Sequence, residues 1–290
     1  MMLKKIKNII VKTDRSLFKI FGSDKSINFL KNIREVNEIF SCLNETGEET
    51  NVRFVGGCVR QSLNGEVVED IDLATSLEPS EVKKKLFEKN IKVVDTGISH
   101  GTVTAIVNKK KFEITTLRKD VSTDGRHANV KFTLNWKEDA SRRDFTINAI
   151  YSDIEGRVLD PMNGISDLKD GRINFIGSPE ERIQEDYLRI LRYFRFYTQY
   201  SKVDHDQDVI KFIKKNINGL NKISNERIYS ELIKIFKLEN FYNLFTNNQS
   251  LEIITSIFPQ FKYHERLKIF KVLNKNLKCK YDECLILSLL

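Results

Sequence analysis

Phe54-Val55-Gly56-Gly57-Cys58-Val59-Arg60 and, a short way on, Asp70-Ile71-Asp72-Leu73-Ala74-Thr75 decide how the chain reads. Carboxylates two residues apart on a strand project from one face, so Asp70 and Asp72 form a pair of hard oxygen donors for a cation such as Mg²⁺. The Gly56-Gly57 turn ahead of them lets backbone N–H groups approach a phosphate, and Arg60 adds a planar, permanently charged fork for a triphosphate. A third carboxylate, Glu113 in Phe112-Glu113-Ile114-Thr115-Thr116, falls on another β-branched run able to neighbour the first. Three carboxylates holding metal ions against nucleotide phosphates can support attack by a hydroxyl group.

Working outward, residues 52–55 read as a strand, 58–63 as a short helix and 67–74 as a second strand carrying the acidic pair. Pro79 opens a helix over 80–89. Val93-Val94, 101–107 and 111–116 are β-branched and separated by short polar turns, so a compact mixed sheet is expected from about residue 51 to 160. Ahead of it, Ile27, Leu30, Ile33, Val36, Ile39 and Phe40 fall at helical spacing and predict a helix over 26–43 that packs on the segment C-terminal to it. After the Asp160-Pro161-Met162-Asn163-Gly164 turn the pattern becomes helical. Ser178-Pro179-Glu180-Glu181 is a capping box that opens one long helix to about Tyr197, with Ile183, Tyr187, Ile190, Phe194 and Tyr197 as its buried stripe. Further helices are read over 209–217, 226–236, 241–245 and 251–257. The fold class is therefore α+β, a small mixed sheet followed by an all-helical half.

The chain has 290 residues, 40% of them hydrophobic, enough for one large domain or two modest ones, and it carries a formal net charge of +8. Basic residues spread along the sequence favour an anionic partner such as RNA, against the plain alternative of a Lys-rich solvated surface. Cys42, Cys58, Cys279 and Cys284 form neither a disulfide framework nor a zinc spacing, which suits a reducing compartment. The N-terminal stretch shows no cleavage site or membrane-length run, so a cytoplasmic location without a membrane is expected.

A second constellation lies on the capped helix. Asp186 and Arg189 are three residues apart, and Arg192 and Arg195 continue that spacing. An intrahelical salt bridge is the plain reading. The sharper one uses base edges: cytosine and adenine each present an exocyclic amino donor beside a ring-nitrogen acceptor, which a carboxylate plus a guanidinium complements, whereas uracil and guanine mismatch it. His205-Asp206 has no clustered histidine partners and reads as loop chemistry, not a metal site.

With these pieces placed, residues 52–236 closely resemble the class II nucleotidyltransferases, the family of CCA-adding tRNA nucleotidyltransferases and related bacterial poly(A) polymerases. The resemblance rests on five ordered motifs. They are Gly56-Gly57-Cys58-Val59-Arg60 with Asp70-Ile71-Asp72; Arg142-Arg143-Asp144-Phe145-Thr146-Ile147-Asn148-Ala149; Asp160-Pro161 with Gly164, Asp167-Leu168 and Gly171; Glu185-Asp186 with Arg189, Arg192 and Arg195; and Ser224-Asn225-Glu226-Arg227-Ile228 with Glu231-Leu232.

The resemblance implies a nucleotidyltransferase head with a small mixed sheet, then helical neck, body and tail, the tail being shortened in this chain. It divides this chain into a helical lead over 1–50, a head over 51–160, a neck over 161–240 and a body over 241–290. It implies Asp70 and Asp72 as Mg²⁺ ligands, with Glu113 completing the catalytic triad. Gly57 and Arg60 would contact the triphosphate, Arg143 the nucleotide and Asp144 its ribose. Asp186 and Arg189 would pair with the base, supported by Arg192 and Arg195. It implies tRNA as acceptor, CTP and ATP as substrates and template-independent addition of CCA. Residues 119–129, with Asp124-Gly125-Arg126-His127, resemble the flexible loop of the family.

Two departures stand out. Gln61 occupies the place where the family usually has Asp, and the chain ends in the apolar run Leu285-Ile286-Leu287-Ser288-Leu289-Leu290, whose exposure would need burial. Poly(A) polymerase shares nearly every motif, and a partial CC- or A-adding enzyme is a further alternative. Thr96-Gly97-Ile98-Ser99-His100-Gly101-Thr102-Val103 looks more like the CCA-adding type. Gln61 and the short C-terminus motivate a rival of another kind, a non-catalytic RNA-binding remnant.

Overall fold

The computed structural model describes residues 18–19, 30–44, 50–97, 101–123, 128–277 and 283–290. It divides into two units, Met1–Lys169 with Asn174–Ile176, and Asp170–Ile173 with Gly177–Leu290. The described strands are β1 (Phe18–Lys19), β2 (Val52–Val55), β3 (Asp72–Thr75), β4 (Lys92–Gly97), β5 (Thr102–Val107), β6 (Lys110–Thr116), β7 (Arg118–Thr123), β8 (Ala128–Phe132), β9 (Tyr151–Ser152) and β10 (Val158–Leu159). Eight of them form one mixed sheet in the order β1-β10-β9-β2-β3-β6-β5-β4, in which β3 and β6 run parallel.

The sheet of the first unit is covered on both faces, and its central strands alternate between two cores. Phe54 and Leu73 enter a cluster with Leu30, just ahead of the leading helix, with Val36 and Ile39 from that helix and with Val82 and Leu86 from the Pro79–Glu88 helix. Their neighbours Val55 and Ala74 enter another with Trp136, Ala140 and Tyr151. The leading helix is Arg34–Leu43, and Ile27 of the expected stripe lies outside the described residues.

Three expectations are corrected. The second strand starts at Asp72, not at residue 67: residues 66–71 are irregular and Val67 is 82% exposed. Its partner β2 aligns Phe54 with Leu73 and then turns into a helix after Val55, so β2 offers residues 67–71 no further pairing. Residues 119–129 are not a plain loop, because β7 and β8 form an antiparallel hairpin from Arg118↔Phe132 to Thr123↔Ala128. Its tip, with Asp124-Gly125-Arg126-His127, lies outside the described residues, as do Ile98, Ser99 and His100.

The third correction falls in the helical unit. The helix opened by Ser178 ends at Glu185, Asp186 is extended (φ −153°, ψ 103°), and a separate helix runs from Arg189 to Tyr200. The Asp186 carboxylate accepts from the Leu188 N–H at 3.2 Å, and this local bond competes with helix continuation. Ile183, Ile190 and Phe194 of the expected stripe are fully buried. Gln207–Asn216, Asn225–Phe236 and Asn248–Ile257 follow the predicted pattern, Phe241–Phe245 is a 3₁₀ turn, and two helices that the sequence reading did not mark, Arg266–Leu277 and Glu283–Leu289, come after them. Ile286 of the Glu283–Leu289 helix and Leu290 just beyond it are buried, while Leu285 is 42% exposed.

Candidate active site

Gly56 has φ +69°, a left-handed conformation that glycine adopts without strain, and it caps the Gly57–Leu63 helix. Its N–H is bonded to Ile150 O at 3.2 Å. A Cβ added at Gly57 would meet nothing within 4 Å, so the first turn of this helix faces open space through which a ligand can approach. Arg60, one turn on, is 7% exposed and donates to Asn148 Oδ1; Asn148 Nδ2 in turn donates to Asp144 Oδ1 at 2.9 Å. Arg60 thus braces the glycine turn against the Arg142-Arg143-Asp144 segment, and Asp144, 8% exposed, is the far end of that brace. Gln61 is half-buried on the same helix.

The carboxylates gather at the start of β3. Asp72 and Glu113 are register partners on the parallel strands β3 and β6, and both are exposed, as is Asp70 in the irregular segment before β3. Asp72 is held above the usual carboxylate range by partial desolvation, then by repulsion from Glu113 and Asp70, with Arg143 opposing. Hard oxygen donors that repel one another fit a divalent cation such as Mg²⁺. Among the described residues, however, no group of three or more His, Cys, Asp or Glu side chains is already drawn close enough to hold a metal.

Arg143 stands between these two features. A Cβ placed on Gly56 would lie 3.6 Å from its Nη1, and its charge acts on Asp72. The guanidinium is held from behind by Asp139, with Nη2 3.1 Å from Oδ2, and its Nε is 3.1 Å from Tyr151 Oη. Asp139 is 1% exposed and also accepts from Tyr151 Oη at 2.7 Å and Arg142 Nε at 2.9 Å. Burial alone would push the Asp139 carboxyl up, but the two arginine charges and the tyrosine hydroxyl outweigh it and bring it to about 2. Neither Asp139 nor Tyr151 is singled out by the sequence reading. A signal for the first exists: Asp139 sits three and four residues before Arg142 and Arg143 at the end of the Trp136–Ser141 helix.

In the helical unit the expected base-reading residues are engaged separately. Asp186 Oδ2 is 2.7 Å from Arg227 Nη2. Arg189 Nη1 instead lies 2.6 Å from Glu185 Oε2 and 2.8 Å from the Arg182 carbonyl. Arg195 donates to the buried Glu231, and both Arg195 and Arg192 lie over the Phe196 ring, 4.1 and 5.5 Å from its centroid. Glu185, Arg227 and Glu231 all belong to the family motifs; the Glu185–Arg189 pair has an i,i+4 spacing, whereas Asp186–Arg227 and Arg195–Glu231 cross between helices with no sequence periodicity to announce them. His205, read as loop chemistry, is buried between Tyr193 Oη at 3.0 Å and Ser250 Oγ at 2.7 Å, and Asp206 caps the Gln207–Asn216 helix.

The family described as "Poly A polymerase head domain" matches residues 52–174, and the one described as "Probable RNA and SrmB- binding site of polymerase A" matches 204–264. The human mitochondrial CCA tRNA nucleotidyltransferase 1 is 45% identical over 210 residues, covering 71% of this chain and 47% of its own length. The CCA-adding enzyme of Lactobacillus helveticus is 45% identical over 184 residues, 63% of this chain and 45% of that enzyme. The chain belongs to the class II nucleotidyltransferase family of CCA-adding enzymes.

A crystal structure of the Bacillus stearothermophilus CCA-adding enzyme in complex with CTP superposes with a TM-score of 0.63 at 31% identity, covering 75% of this chain and 50% of that one. The chain spans about half the length of the curated relatives it matches. The mixed head sheet followed by helices is thus the arrangement expected of a class II nucleotidyltransferase. Among the described residues no helix is long and apolar enough to cross a membrane.

Proposed function

We propose that this chain is a magnesium-dependent nucleotidyltransferase that adds CCA to tRNA 3′ ends from CTP and ATP. The observation that carries the reading is the register of Asp72 with Glu113 beside the Gly56-Gly57 turn and Arg143. Asp70 and Asp72, with Glu113, would hold magnesium, which supplies charge neutralisation at the phosphates and a more acidic attacking hydroxyl. The open first turn at Gly57 would receive the triphosphate on its backbone N–H groups, and Arg143 would orient the nucleotide. Arg60 and Asp144, both buried in the brace through Asn148, would support these contacts by fixing the turn. A new bond then forms between the RNA 3′ oxygen and the α-phosphorus while the α–β bridge breaks, pyrophosphate carrying away the electron pair.

In the helical half, a neck over 161–240 would read the base, and a body over 241–290 would follow it. Asp186 and Arg189 would offer an acceptor and a donor to cytosine or adenine, with Arg192 and Arg195 in support. Leaving these desolvated groups unpaired against a wrong base costs about 1–3 kcal/mol each.

The test is extension of tRNA lacking its 3′ end by the purified chain with Mg²⁺ and CTP, ATP or both. Ordered addition of two C and one A supports the reading. Unlimited addition of A selects a poly(A) polymerase instead, addition of only CC or only A selects a partial enzyme, and tight tRNA binding without extension overturns catalysis in favour of an RNA-binding remnant.

A further inference from the structure

Arg143 faces a choice of carboxylates. Asp139, almost fully buried, lies 3.1 Å from Nη2, and the exposed Asp72 also feels the guanidinium's charge. Asp139 has the stronger hold because Arg142 Nη2 at 2.8 Å, Tyr151 Oη at 2.7 Å and the Arg118 N–H at 3.3 Å fix its carboxylate as part of the fold. Tyr151 strengthens the grip, its ring lying under the guanidinium at 5.3 Å while its hydroxyl touches Nε. An exposed carboxylate pair such as Asp72 and Glu113 would otherwise attract the guanidinium, whose charge already acts on Asp72.

We propose that Asp139, with Tyr151, is a positioning residue that holds Arg143 back from Asp72 and so keeps the carboxylate group available to a divalent cation. The anchor has a second consequence, since it leaves Nη1 of Arg143 directed at the Gly56 corner, where Asn148 O accepts at 3.5 Å. Arg143 therefore contributes positive charge beside the glycine turn without neutralising the acidic donors. This inference rests on the magnesium site proposed above.

The experiment measures Mn²⁺ binding to the whole chain by electron paramagnetic resonance, with no RNA or nucleotide present, for wild type, Asp139→Asn and Asp139→Asn/Arg143→Gln. Freeing Arg143 should weaken Mn²⁺ binding in Asp139→Asn by about ten-fold, the size expected of one extra positive charge a few ångströms away at a partly solvated site. Removing the guanidinium in the double variant should restore the affinity, which repair of a merely structural defect would not do. Unchanged affinity in Asp139→Asn, or weakening that Arg143→Gln leaves in place, overturns the proposal. If Asp139→Asn fails to fold by circular dichroism, Tyr151→Phe replaces it with and without Arg143→Gln, and the same loss and recovery are required at smaller amplitude. A wild-type chain that binds no Mn²⁺ overturns the magnesium site itself, whereas wild-type binding with no response to these variants overturns only the role of Asp139.

Discussion

Asp186 is paired with Arg227, 2.7 Å from its guanidinium, and not with Arg189, which Glu185 holds instead. An incoming base that uses the Asp186 carboxylate must share it with Arg227, so Arg227 tunes how strongly that carboxylate prefers an amino donor. Arg227→Ala should leave total CTP incorporation within a few-fold of wild type while lowering misincorporation of UTP, whose O4 the bare carboxylate repels. Asp186→Asn, which adds a donor at the same place, should instead raise it, by about ten-fold for each hydrogen-bonded group left mismatched. Primer extension with single nucleotides measures both, and unchanged selectivity in the two variants would remove Asp186 from base reading.

Two glycines separate folding from ligand contact. A Cβ on Gly164 would lie 2.1 Å from Thr146 O, a backbone atom that cannot yield cheaply, whereas one on Gly57 meets open space at an unstrained φ. Gly164→Ala should therefore lower stability by about 1–3 kcal/mol or more through overpacking. Gly57→Ala should keep the wild-type melting temperature but weaken triphosphate binding several-fold. Thermal unfolding beside CTP titration distinguishes them, and wild-type CTP affinity in Gly57→Ala would move the phosphate contact elsewhere.

The parts of the fold legible in the sequence are those written in local periodicity. Val52–Val55, Thr102–Val107 and Lys110–Thr116 announce themselves by β-branched runs, and Asn225–Phe236 by its helical stripe. Asp186 breaks the expected long helix because a side-chain bond to the Leu188 N–H competes with helix propagation, an effect that a stripe of apolar residues hides. The Arg118–Thr123 and Ala128–Phe132 hairpin reads as a loop because its polar residues carry no apolar alternation. At the site, Asp72 and Glu113 are expected as strand neighbours and are aligned in register. Asp139 is legible in its spacing to Arg142 and Arg143, but the Tyr151–Asp139 and Arg60–Asn148 bonds are made by sheet and turn packing, which spacing along the chain does not encode.

Asp72 is exposed at the first position of its strand, so its carboxylate contributes little packing. Replacing it by Asn removes a charge that Glu113 and Asp70 already repel. Asp72→Asn should thus leave stability unchanged or slightly higher while abolishing tRNA extension. Urea unfolding and extension assays on the same preparation decide it; full residual turnover would show that the metal reading of β3 is misplaced.

His205 gives the helical unit a pH dependence of its own. It is 3% exposed, stacked on Tyr197 at 3.6 Å between ring centroids, and bonded through its two nitrogens to Tyr193 and Ser250. Burial pulls its pKa from 6.5 down to about 4, against the attraction of Asp204 and a bond to Asn247. Between those values the unfolded chain binds a proton that the fold refuses, so stability is fully present above pH 6.5 and falls as the pH drops toward 4. At about 1.36 kcal/mol per pKa unit the loss approaches about 3 kcal/mol by pH 4, with about 2 kcal/mol already gone at pH 5. Asp139, depressed to about 2, withdraws its contribution only at lower pH, which leaves the interval from about 7.5 to about 5 to the histidine. Urea unfolding across that interval should show wild-type stability declining and His205→Asn declining less, from a lower starting value because the stacked ring and its packing are gone. Parallel slopes for the two proteins would mean that the buried imidazole is not what the helical unit loses to acid.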